Sequence, residues 1–152
     1  MDFRPWMIES ASGFIRASRI FWQENLGSQS MVNVAIGLEI LFKSFNVTVD
    51  GPKGGIGEQY RYAGKRGHDL LELFEAIPEE IREQLNFGPY RDYFEGKAGQ
   101  MFVLARYPYE QGGLSGGTDV IIDVAEEMLG SVIQLYKQNQ CDDPWIVNFS
   151  TI

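Results

Sequence analysis

An all-α fold, an antiparallel up-and-down bundle of about five helices, is the class this sequence predicts. Three observations lead there. Apolar residues recur with a helical period through most of the long stretches, clusters of glycine and proline cut those stretches apart, and strict alternation is confined to the end of the chain. The first helix carries Met7, Ala11, Phe14, Ser18 and Phe21 on one stripe and ends near Leu26 and Gly27. Ser28 or Ser30 is placed to cap a second helix, whose inward face is Met31, Val34, Leu38, Leu41, Phe42 and Phe45. Glu39 and Lys43 pair at i, i+4 on its wet side. Residues 46–67 hold six glycines and a proline with no sustained period, which predicts a long loop.

The third helix opens at His68 and Asp69, where a carboxylate suits the helix N-terminus, and runs through Leu70, Leu73 and Phe74. Pro78 restarts it, with Glu79 and Glu80 in the new first turn. A fourth helix follows Gly88 and Pro89, with Tyr90, Phe94, Ala98, Met101 and Ala105 on one stripe. It stops at the segment ARYP, because Pro108 disfavours helical geometry at Tyr107. Beyond the connector EQGGLSGG, Thr118 is placed to cap a fifth helix that reads Ile121, Ala125, Met128, Val132 and Leu135 and ends near Lys137. In residues 138–152, Trp145, Val147 and Phe149 alternate with their neighbours, which predicts an extended arm. Residues 1–152 read as one helical domain, with no internal repeat.

Composition narrows the function classes. A chain of 152 residues, 44% of them hydrophobic, supports one core. The net charge of -8 argues against a protein that grips long double-stranded DNA through its phosphates. One cysteine, Cys141, cannot form an internal disulfide, and no basic segment followed by an apolar run opens the chain, so a cytoplasmic protein is expected. No apolar run approaches the ~20 residues that span a bilayer, so no membrane partner is expected. The basic charge is local: the loop at 46–67 has four cations (Lys53, Arg61, Lys65, Arg66) against two anions (Asp50, Glu58), while the remainder is strongly acidic.

VNVAIGLEILFKSF (32–45), GHDLLELF (67–74) and LARYP (104–108) follow one another in that order, and together they resemble segments of HEPN domains. VNVAIGLEILFKSF (32–45) is similar to their second helix, GHDLLELF (67–74) to the Gly-His-Asp-Leu opening of their third, and LARYP (104–108) to the Arg-Tyr-Pro that closes a later one. The resemblance covers roughly residues 28–137. It implies a HEPN-like bundle, commonly a homodimer, from a family of metal-independent RNases, toxin or antitoxin partners and nucleotide-binding companions of nucleotidyltransferases. The family's RNase motif is an arginine, four to six residues, then a histidine, supplying a cation and a base for attack by the RNA 2'-hydroxyl. After Arg106 the matching positions are Gln111, Gly112 and Gly113. An amide does not serve as a general base, so from this site the chain reads as a non-cleaving member.

A second match runs from Arg61 over six residues to His68, across a loop and a helix start. There His68 has two readings: it begins a helix and pins the basic loop, or it is the general base with Arg61 steadying the transition state. The reading adopted is the first. It makes the chain a binding module that holds a nucleotide, a short RNA or an acidic partner surface through Arg61, Lys65, Arg66 and Arg106, with Tyr107 beside it. Tyr60, Tyr62, Tyr107 and Tyr109 flank the two arginines and offer stacking surfaces or loop packing. The alternatives are a toxin-like endoribonuclease using His68 and Arg61, and an antitoxin or immunity protein whose acidic surface masks a basic toxin. No cofactor is expected, and no metal: one histidine and one cysteine lie far apart, and Glu79/Glu80 and Glu126/Glu127 are adjacent rather than on one helix face. Neither glycine-rich connector has the Gly-Lys-Ser/Thr of a P-loop.

Overall fold

The computed structural model describes residues 1–50, 59–64, 67–113 and 117–150. They form a mostly helical bundle with one small antiparallel hairpin. In order these are α1 (Pro5–Gln23), α2 (Gly27–Lys43), β1 (Val47–Val49), β2 (Tyr60–Tyr62), α3 (Leu70–Glu75), α4 (Glu79–Gln84), two 3-10 segments (Gly88–Phe94 and Gly96–Ala98), α5 (Met101–Arg106), α6 (Val120–Gln138) and α7 (Pro144–Asn148).

Helix α1 starts with Pro5 in its first turn, where the missing N–H costs nothing. Its buried face is Ile8, Ala11, Ser12, Ile15 and Ser18, one residue round from the stripe the sequence suggested: Phe14 is 36% exposed. Small residues decide this, because α2 lies so close that a Cβ on Gly37 would sit 2.6 Å from Ile15 Cγ1 and 3.1 Å from the Ala11 carbonyl. Ser18 meets Ser30 at one end of the pair and Ala11 meets Gly37 toward the other, so the two helices run antiparallel. The turn between them is closed by Asn25 at φ 60°, with the Leu26 N–H donating to the Phe21 carbonyl. The same closure ends α4 at Asn86 and α6 at Gln140.

Neither Ser28 nor Ser30 caps α2. Leu26 occupies that position without a side-chain bond, and the Ser30 hydroxyl donates across to the Ser18 carbonyl at 2.7 Å. Burial explains the switch, since a buried hydroxyl takes the nearest acceptor. Met31, Val34, Leu38, Leu41 and Phe42 face inward as expected, and α2 is the central helix, in contact with α1, α3, α5 and α6.

The expected long loop contains the hairpin, with Val47 opposite Tyr62, Thr48 opposite Arg61 and Val49 opposite Tyr60. Period-2 patterning is hard to see in strands this short. Asp69 caps α3 by accepting the Leu71 and Glu72 N–H groups on Oδ1. The expected fourth helix is broken into two 3-10 segments and α5. Gly96 adopts φ +72°, and a Cβ on Gly99 would fall 2.3 Å from the Phe94 carbonyl oxygen, so the chain turns sharply where a continuous helix was expected. Phe94, Met101 and Ala105 still reach the core, and α5 does end before Tyr107. Helix α6 buries Ile121, Ala125, Met128, Val132 and Leu135 as expected, but Asp119, not Thr118, stands at its N-cap position. The tail is not an extended arm: Asp143 accepts the Trp145 and Ile146 N–H groups and starts α7 at Pro144. Among the described residues, no helix is long and apolar enough to cross a membrane.

Candidate functional site

Helix α2 contains just two charged residues, Glu39 and Lys43, and both lie at one edge of the bundle. Lys43 Nζ donates to Glu39 Oε1 at 2.6 Å, and the other carboxylate oxygen, Oε2, lies 2.7 Å from His68 Nδ1. The pair is not on the wet side. The Glu39 side chain is 14% exposed and that of His68 is 47% exposed, so the carboxylate is inside and the imidazole stands between it and solvent. An ionised carboxylate only accepts, which makes Nδ1 the N–H donor and leaves Nε2 as the ring's second functional nitrogen. The Asp69 cap and a Leu70 N–H bond to the Gly99 carbonyl (2.7 Å) hold this segment at the entry to α3.

The imidazole packs on Phe102 of α5, with ring centroids 4.3 Å apart. The Arg106 guanidinium lies over the same Phe102 ring at 5.1 Å and over Tyr107 at 4.6 Å, and Tyr107 packs on Tyr109 at 6.0 Å. His68, Phe102, Arg106, Tyr107 and Tyr109 therefore make one continuous strip of planar groups. Its outer end is open, with Tyr109 81% exposed. Arg106 and the 67–68 segment, distant in sequence, share Phe102 as a common neighbour.

On the other side of His68 an open cleft of about 750 Å³ is lined by Lys43, Asp50, Tyr60, Arg61, Tyr62, Gly67 and His68. The ammonium of Lys43 lies 5.5 Å from the Tyr62 ring centroid, and burial pushes the Tyr62 hydroxyl above the ordinary phenol range. Arg61 bonds Asp50 Oδ2 at 2.6 Å across the hairpin mouth. Both partners are exposed, so this pair is weak and yields readily to a competing anion. Lys65 and Arg66 lie outside the described residues.

The arrangement offers an oriented imidazole, a guanidinium one ring away, and a second guanidinium across the cleft. Two members were missed in the sequence. Glu39 was assigned to Lys43 alone, although the single carboxylate of a helix with one other charge was a signal. Phe102 fell beside the Met101–Ala105 stripe and had no assigned role. Gln111 is exposed on the turn after α5. Among the described residues, no group of three or more histidine, cysteine, aspartate or glutamate side chains converges to hold a metal ion. Comparison with family models, with curated proteins and with solved structures gave no match.

Proposed function

We propose that this chain is a HEPN-like binding module for a nucleotide or a short single-stranded RNA, held by Arg106 and His68. The observation that carries this is the shared ring: Phe102 packs under both His68 and Arg106, and the strip continues through Tyr107 to the exposed Tyr109. Arg106 supplies a cation for a phosphate, and the exposed Tyr109 at the end of the strip supplies a ring for a base. Arg61 and Lys43 extend the cationic surface into the cleft, while the acidic remainder disfavours long duplexes. The resemblance adds a homodimer, which sedimentation velocity checks directly.

Fluorescence anisotropy with a short labelled RNA of mixed sequence, in EDTA, tests the reading. Arg106→Ala weakens binding about tenfold or more, the size of one charge-assisted contact, and Tyr109→Ala weakens it by a similar factor if a base stacks there. Wild-type protein that leaves the RNA tumbling freely at low salt removes the proposal.

A second reading, metal-independent RNA cleavage, is favoured by one specific observation, the Glu39–His68 bond. His68 Nε2 would take the proton of a 2'-hydroxyl, the 2'-oxygen would attack the adjacent phosphorus, and the bond from phosphorus to the 5'-oxygen would break, that oxygen taking a proton from water, to give a cyclic phosphate. Arg106 is the better supported cation, because it lies over the Phe102 ring on which His68 packs. The same samples run on a gel decide: cleavage in EDTA that disappears in His68→Ala and falls in Glu39→Gln supports this chemistry, and intact RNA with folded protein leaves binding alone.

A further inference from the structure

The side of the α1–α2 pair that faces away from the core is apolar. Along α1, Trp6, Ser10, Gly13, Ala17 and Ile20 recur at alternating intervals of four and three, which places them on one face. Trp6 is 38% exposed and Ile20 58%, and a Cβ on Gly13 would meet nothing within 4 Å. Phe14, also exposed, and Phe21, half-buried, border this face. On α2 the half-buried Val32, Ile36 and Ile40 make a second outward stripe. Neither stripe contains a charge. An exposed apolar face of this extent marks an interaction surface.

The pattern repeats about its own midpoint. Because Gly37 packs against Ala11 and Ile15, Ile36 stands level with Gly13. Trp6 and Ile20 lie seven residues either side of Gly13, and Val32 and Ile40 lie four residues either side of Ile36. At one flank of the α1 face are Glu9, four residues before Gly13, and Arg16, three after it. Both are exposed, and neither makes an ion pair or side-chain hydrogen bond among the described residues. We propose that this face binds a second copy of the chain, about a twofold axis that passes Gly13 and Ile36 at right angles to the helices.

That axis lays α1 antiparallel on the partner's α1 and α2 on the partner's α2. Glu9 then meets the partner's Arg16, and Arg16 meets the partner's Glu9. Trp6 falls opposite the partner's Ile20, Val32 opposite the partner's Ile40, and the bare Gly13 lets the two α1 backbones approach closely. Self-matching of this kind is what a twofold interface requires, and a foreign partner does not demand it. At 19 residues α1 is about 28 Å long. Two helices, each about 10 Å wide, cover roughly 1,100 Å² over both partners, just above the ~1,000 Å² of a specific interface, so a reversible dimer is expected. The face is separate from the His68–Tyr109 strip, and it rests on α1 and α2 rather than on the ligand reading.

Sedimentation velocity of the full chain from about 1 to about 300 μM tests the interface. A monomer–dimer equilibrium is expected within that range. Gly13→Glu should leave the melting temperature unchanged, because the position opens outward, and should hold the chain monomeric. Glu9→Arg and Arg16→Glu should each weaken the dimer about tenfold by setting like charges against each other. Mixing those two variants should restore it, since each then meets opposite charges on the other; a structural effect within one chain would not be repaired by mixing. A wild-type chain that stays monomeric throughout overturns the proposal. A dimer indifferent to Gly13→Glu, or single variants that mixing does not rescue, also overturns it by placing any association on another surface, and RNA binding measured on the same samples is unaffected by either result.

Discussion

The α1–α2 pair and the His68–Tyr109 strip are built in opposite ways. The pair consists of two long helices pressed together through Gly37, Ala11, Ile15 and a buried serine-to-carbonyl bond, with nothing to spare for another methyl group. The strip rests on short pieces: a capped α3 entry, a six-residue α5 and an irregular turn, held by Asp69, Glu39 and ring contacts. Close packing gives the first region rigidity and intolerance. Polar bonds at a half-exposed edge give the second region orientation without much stability, which is what a surface that meets ligands needs.

Substitution should separate the two. The largest effect is expected from Gly37→Val, which forces the helices apart and should cost about 3 kcal/mol in urea unfolding while changing no group of the strip. Unchanged stability would mean that α1 and α2 are looser than their spacing indicates.

Next comes alkaline pH. Burial pushes the Tyr136 hydroxyl up to about 12. A proton held more tightly in the folded state contributes stability that is fully present below the ordinary phenol value of about 10 and is lost as pH rises toward about 12. The full loss corresponds to about 2.5 kcal/mol. Unfolding measured on either side of pH ~10 should show this decline, and Tyr136→Phe should flatten part of it. Tyr62 and Tyr93, also raised by burial, and Tyr90, raised by its bond to Glu127, supply the remainder.

Asp69→Ala should cost about 1 kcal/mol by uncapping α3, yet weaken RNA binding disproportionately, because the same turn positions His68. Proportionate losses would show that the strip does not depend on the cap. Least affected should be Arg19→Ala, which removes the ion pairs from α1 to Asp123 and Glu126 of α6. These partners are well exposed, so about 0.5 kcal/mol, diminishing in high salt, is expected.

Legibility followed the same division. The inward faces of α2 and α6 could be read because a buried stripe on a long helix repeats often enough to identify itself. The face of α1 was misjudged by one residue: Met7/Phe14 and Ile8/Ile15 are equally periodic, and it was the approach of α2 that chose between them. The fourth helix and the extended tail were wrong for local reasons with visible signals, Gly96 and Gly99 in one case and Asp143–Pro144 in the other. Of the site, His68 and Arg106 stood out by residue type, whereas Glu39 and Phe102 did not, because both owe their roles to His68, which is distant from each in the sequence.

By itself the sequence determined the helical class, the central apolar faces, the start of α3 at Asp69 and the stop before Pro108, since these depend on period and on backbone preferences within a few residues. Tertiary structure alone decided that His68 meets Glu39 and that it packs on Phe102. Those are contacts between elements, and their geometry is set by how closely helices can approach, a quantity that belongs to pairs of surfaces and not to any one stretch of chain.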